Sequence, residues 1–251
     1  MTKRLYTKTA LFLLLLTIIV FSRLSSVFAA EWRRVNVLVA YDEEWESTAF
    51  WSYGYDAKTL AHIIISCTSD IFYTTFGIDF CPICYTFWDS YDYPASKDVM
   101  MDEAIAETDF TTGMRIGYYE IDVLIAFTNQ EIPYPGGYCY GYSDSELGVV
   151  LVRHSYPNGV GQATDNVLQH ELSHLYGAPE EGIAGLDCVM NAFPYDLPFP
   201  WGSVPTALTT TNWCEGCLAT IGANVDNWGR LGSGGGSGGI HMCPYSGDEY
   251  K

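Results

Sequence analysis

The stretch His170-Glu171-Leu172-Ser173-His174-Leu175-Tyr176-Gly177-Ala178-Pro179-Glu180 constrains the fold more than any other part of the chain. Two histidines four residues apart share one face of a helix, about one turn from each other, so both rings can bind a single zinc ion. Glu171 stands beside the first of them, placed to act on water at the metal rather than on the metal itself. Gly177 suits the left-handed residue that ends a helix. A chain that reverses there brings back Glu180 as third ligand, with the adjacent Glu181 as the alternative. With 5 His and 14 Glu among 251 residues, an H-E-x-x-H is expected by chance only about 0.005 times.

Residues 1–29 read as a secretory signal peptide rather than as part of the fold. Lys3, Arg4 and Lys8 make a basic start, Leu11 to Phe21 is apolar apart from Thr17, and Val27-Phe28-Ala29 sets small residues before a cut at Ala30. The apolar run falls short of the roughly twenty residues of a membrane span. Secretion is therefore the expectation, without a stable membrane anchor, and an uncleaved signal anchor is the alternative. With the leader go Lys3, Arg4, Lys8 and Arg23 but no acid, so the formal charge of −18 becomes −22. A surface of that sign repels nucleic acid and anionic lipid. Apolar residues make up 48% of the chain, ample for one compact core. All eight cysteines lie beyond the leader. An even count in a secreted chain favours disulfides, among 105 connectivities that sequence does not resolve.

Val35 to Ala40 reads as a buried strand. Leu60, Ile63, Ile64, Cys67 and Ile71 recur at helical spacing, giving a helix from Asp56, its N-cap, to about Thr74. A second strand spans Gly77 to about Trp88, and a shorter helix opens at Pro94 to Lys97 and runs to about Glu107. Ile121 to Thr128 and Val149 to Arg153 are further strands, with a short edge strand at Tyr138 to Tyr142 after the Pro133-Tyr134-Pro135-Gly136-Gly137 break. The histidine-bearing helix extends from about Gln162 to Tyr176, with Leu168, Leu172 and Leu175 facing the core. A last helix falls within Thr210 to Arg230. The expected organisation is one α/β (α+β) domain over residues 30–230. It contains a twisted mixed sheet of about five strands, an active-site helix and a smaller C-terminal subdomain. Residues 231–251 form a Gly/Ser-rich linker and polar tail.

The motif resembles that of the metzincin clan of zinc peptidases, H-E-x-x-H-x-x-G-x-x-H or D followed by a tight turn containing methionine. Cys188-Val189-Met190-Asn191 stands at a suitable distance, and Met190 would lie under the zinc. Within the clan the chain is most similar to archaemetzincins, which carry a C-x-M turn and a later C-x-x-C. Cys188-Val189-Met190 and Cys214-Glu215-Gly216-Cys217 stand in that order. Glu180 departs from the pattern, and a carboxylate makes the metal a weaker Lewis acid than a third histidine would. Archaemetzincins also have four cysteines that look set for a structural zinc. Glu181 occupies one of those places here; Cys188, Cys214 and Cys217 with a carboxylate are the candidates for such a zinc, but in a secreted chain Cys214 and Cys217 are expected in disulfides instead and a second zinc is not.

The resemblance implies one catalytic zinc on His170, His174 and Glu180, with Glu171 as general base and then acid in peptide hydrolysis. Peptide or protein substrates would lie extended along the edge strand. The competing expectation is a zinc-containing protein that has lost turnover and binds a peptide or partner; retention of Glu171, which contributes nothing to holding metal, argues against it. Cys81-Pro82-Ile83-Cys84 has redox-motif spacing, but a structural disulfide is the simpler reading. His62 reads as helix packing, and His154, directly after a strand, as either cleft-facing or surface.

Overall fold

The computed structural model describes residues 32–91, 94–134, 137–154, 163–180, 188–190 and 211–231. The leader, Glu181 and the tail from residue 232 onward lie outside them. In chain order the first elements are β1 (Arg33–Tyr41), α1 (Glu43–Thr48), a π-helical turn (Ala49–Tyr53), α2 (Ala57–Phe76), β2 (Ile78–Phe87) and α3 (Lys97–Glu107). There follow β3 (Arg115–Ile116), β4 (Tyr119–Glu120), β5 (Val123–Thr128), β6 (Ile132–Tyr134), β7 (Gly137–Cys139), β8 (Gly141–Asp144) and β9 (Val149–Arg153). The last are α4 (Ala163–Leu175), α5 (Glu215–Ala223) and β10 (Arg230–Leu231).

β1 is buried on both faces, which places it inside a covered sheet. Val35, Val37 and Val39 pack into one core and Leu38 and Ala40 into another. β2 and β5 flank β1 in parallel, β9 continues in parallel beside β5, and β8 closes the edge antiparallel to β9. The mixed sheet thus runs β2-β1-β5-β9-β8, with β10 pairing Leu231 to Arg33 and so taking in the first residue of the stretch read as linker. Pro82 has no N–H to give a ladder, and beside it the β1–β2 register shifts between Val37 and Leu38.

Helices cover both faces. α2 contributes Leu60, Ala61, Ile65 and Phe72, and α4 contributes Leu168, Leu172 and Leu175, to the core under Val35, Val37 and Val39. Met100, Met101 and Ala104 of α3 fill the opposite core. Asp56 caps α2, accepting from the Thr59 N–H at 2.7 Å, and Gly77 ends it at φ +73°. Cys217 and Ile221 of α5 join the same core as α4.

Two features depart from the sequence expectations. A helix and π-helical turn occupy Glu43 to Tyr53, anchored by the buried Trp45, whose ring lies 4.7 Å from that of Phe127. The edge strand is Gly141–Asp144 rather than Tyr138 to Tyr142, because Tyr138 and Cys139 fold back on Ile132 and Pro133 in a separate hairpin. Among the described residues no helix is long and apolar enough to cross a membrane.

Candidate active site

α4 lies against β8 and β9, and its sequence sorts its faces. Leu168, Leu172 and Leu175 are buried, while His170 and His174 look outward from the adjoining face. Gly177, at φ +79°, turns the chain after the helix. A Cβ there would stand 3.2 Å from Asn224 Nδ2, which donates to the Tyr176 carbonyl. The Trp228 indole N–H satisfies the Leu175 carbonyl at 3.0 Å. The turn brings Glu180 back over the two histidines.

Each imidazole is fixed by its inner nitrogen. His170 Nδ1 donates to the Val189 carbonyl at 2.8 Å, and His174 Nδ1 donates to the Ala178 carbonyl at 2.7 Å. In the neutral rings each Nε2 then carries a free lone pair, and the two atoms face each other across 3.1 Å. Glu180 Oε1 stands 3.5 Å from each of them. Bonds of about 2.0–2.1 Å in a tetrahedron put neighbouring donor atoms about 3.3 Å apart. The three donors thus match one face of a zinc coordination shell. Two lone pairs and a carboxylate this close repel one another unless a cation sits between them, so the residues fit the metal. Burial opposes a proton on His170, but Glu180, with Glu171 nearby, holds its pKa up at about 9. Glu180 is held down at about 2 by the two imidazoles, against its own burial. The site draws positive charge.

Glu171, next to His170 on α4, is almost fully buried. Ser143 Oγ donates to its Oε2 at 2.9 Å. Met190 is fully buried in the core that includes α4. The short turn that carries it is tied down from behind, since Val189 N–H donates to the Asn212 carbonyl at 2.7 Å and Cys214 N–H to Cys188 Sγ at 3.2 Å. That tether holds the Val189 carbonyl at His170.

The cysteines correct two expectations. Cys188, Cys214 and Cys217 offer sulfurs within 4.8 Å of one another, with no fourth metal donor grouped with them among the described residues. Cys188 Sγ and Cys217 Sγ are 3.8 Å apart, far beyond the roughly 2.05 Å of a disulfide, so this pair is not joined. Cys81 is disulfide-bonded while Cys84 is a free thiol, so they are not joined to each other. Burial raises the Cys84 thiol pKa, the opposite of what redox chemistry needs. Burial, then the charge of Glu171, pushes Cys139 up to about 12. His154 is not at the surface. It is buried between Thr164 Oγ1 (3.1 Å) and Tyr53 Oη (3.3 Å). His62 is half-buried, 2.8 Å from Tyr85 Oη.

A family model described as metallopeptidase family M12 matches residues 31–188, well over half of the chain. The chain belongs to that family. A solved zinc-dependent peptidase from Methanocorpusculum labreanum is similar over 74% of this chain and 99% of its own, at 9% identity and a TM-score of 0.48. A chaperone–substrate complex is similar over 77% of this chain and 35% of its own, at 13% identity and a TM-score of 0.46. No curated protein matches the sequence. The M12 match covers His170, Glu171, His174 and Glu180 and ends at Cys188.

Four supporting groups have no signal of their own in the sequence: Ser143, Gly141 and the carbonyls of Val189 and Ala178. A serine and a glycine on an edge strand look like solvent-facing residues, and backbone carbonyls leave no trace in composition.

Proposed function

We propose that this M12 metallopeptidase is a secreted zinc endopeptidase in which His170, His174 and Glu180 hold the metal and Glu171 moves the proton. One observation carries the reading: two Nε2 lone pairs and a carboxylate oxygen at tetrahedral spacing, with a buried glutamate on the same helix beside them. Zinc, when bound, supplies a Lewis acid that polarises the scissile carbonyl and acidifies water. Glu171 accepts the proton of the attacking water and returns it to the departing amine, base first and acid second. Burial keeps that carboxylate out of bulk water, and the Ser143 hydroxyl fixes its orientation. The Val189 and Ala178 carbonyls keep both rings turned with Nε2 outward and raise their basicity as ligands.

Among the described residues β8 borders only β9 in its sheet, so its outer backbone N–H and C=O groups are the natural partners of an extended peptide. Main-chain pairing positions a bond without demanding a particular sequence, which favours broad acceptance of peptides. The leader supports secretion, and the likeness of Cys188-Val189-Met190 and Cys214 to Cys217 supports an archaemetzincin-like arrangement with Met190 beneath the site. The test is cleavage of a mixed peptide library by the purified protein, with zinc and with a zinc chelator. Chelator-sensitive internal cuts are expected. A folded, zinc-loaded sample that cuts nothing would replace this reading with that of a peptide-binding protein.

A further inference from the structure

The edge strand does more than border the cleft. In the antiparallel register, Gly141 faces Val152 and Ser143 faces Val150. Val150 and Val152 belong to the core beneath α4, so positions 141 and 143 point to the α4 side, while Tyr142 packs with the opposite core. Both meet Glu171. Ser143 Oγ donates to Oε2 at 2.9 Å. At Gly141 a Cβ would stand 2.6 Å from both Glu171 Cγ and Oε1 and 2.9 Å from Cδ. Real side chains do not approach that closely, so the carboxylate rests on bare backbone that any other residue would fill.

We propose that Ser143 and Gly141 are positioning residues for Glu171, so that the strand expected to receive the substrate also sets where the proton acceptor stands. The inference rests on the reading of Glu171 as general base. Ser143 orients the carboxylate by a hydrogen bond, and Gly141 leaves it the room to lie against β8. One strand then fixes both partners of the proton transfer, since a peptide paired to the outer backbone of β8 and a carboxylate held by its inner face share one frame. Displacement of a reacting group by about 1 Å can cost roughly 10²-fold in rate. Neither residue touches His170, His174 or Glu180 in any contact described above, so metal binding is separable from positioning.

The experiment uses the full zinc-loaded protein and a fluorogenic peptide drawn from its own cleavage products. Ser143→Ala is expected to lower kcat about tenfold with KM within about twofold, at unchanged zinc content and Tm. Ser143→Thr keeps the hydroxyl and should restore kcat to within about threefold of wild type. Gly141→Ala, which pushes the carboxylate aside, should lower kcat about 100-fold. Placed in a Glu171→Ala background, Ser143→Ala should leave the Kd of the uncleaved peptide, read by fluorescence anisotropy, within about twofold. Wild-type kcat in Ser143→Ala and Gly141→Ala would overturn the inference, as would a Thr variant as slow as the Ala variant. A weakened Kd would also overturn it, because the strand rather than the base would be at fault. Those results leave the peptidase reading standing, whereas a wild-type protein without chelator-sensitive cleavage removes both.

Discussion

Asp42 carries a pH dependence whose sign and size follow from its surroundings. It follows β1 directly and is fully buried, with Oδ1 capping α1 by accepting from the Trp45 N–H at 2.8 Å and Oδ2 accepting from Ser90 Oγ at 3.0 Å. Burial outweighs these hydrogen bonds and one from Thr128, and the charge of Glu44 adds to it, so the pKa rises from 3.8 to about 7. Between those values the folded chain keeps a proton that the unfolded chain has released. Stability from this group is therefore full below about pH 4, falls as the pH climbs towards 7, and stays lowered above it. At about 1.4 kcal/mol per unit the shift amounts to about 4 kcal/mol. Asp42→Asn keeps the shape and the cap but carries no charge. It should be no more stable than wild type near pH 4 and gain progressively to as much as about 4 kcal/mol by about pH 8. Urea unfolding of both proteins at saturating zinc measures this. Effects common to both, including protonation of the metal ligands, cancel in the difference. A difference that stays constant across the range would refute the reasoning.

Two further perturbations follow from the same geometry. Glu180→Ala should weaken zinc binding by more than the roughly 100-fold that loss of a mere supporting contact costs; Glu181→Ala should change it little, and competition against a chromophoric chelator would reassign the ligand if the order were reversed. His154 is held neutral by burial, then by the charge of Arg153, with its pKa lowered to about 4. The unfolded chain gains that proton first, so about 3 kcal/mol of stability is lost as pH falls from about 6.5 to about 4. His154→Gln should flatten that limb, and an unchanged acid limb would contradict the burial argument.

What the sequence reveals follows from how locally each feature is encoded. Val149 to Arg153 reads as a strand and is one, because its burial on both faces gives a continuous apolar run. Asp56 caps α2 as expected because capping is settled within three residues. The Glu43 to Tyr53 segment has no readable period. Its helix is short, and Trp45 is the one residue of that helix that is buried. The edge strand is displaced because the aromatic run from Tyr138 to Tyr142 has strand propensity throughout, while the division between hairpin and sheet is set by distant partners, Ile132 and Val152. His170, Glu171 and His174 are legible because helical spacing alone places them, and Glu180 follows from one glycine turn. Ser143 becomes visible only when the sheet is folded, since its role depends on a helix 28 residues further along.

In the proposed mechanism Glu171 moves the proton while other residues hold the metal. Zinc content and peptide cleavage measured on one preparation of Glu171→Ala test it most directly. Wild-type zinc content and an unchanged Tm are expected, with a rate lower by about 10²–10⁴. A zinc-loaded Glu171→Ala protein that cleaves at the wild-type rate would contradict that mechanism.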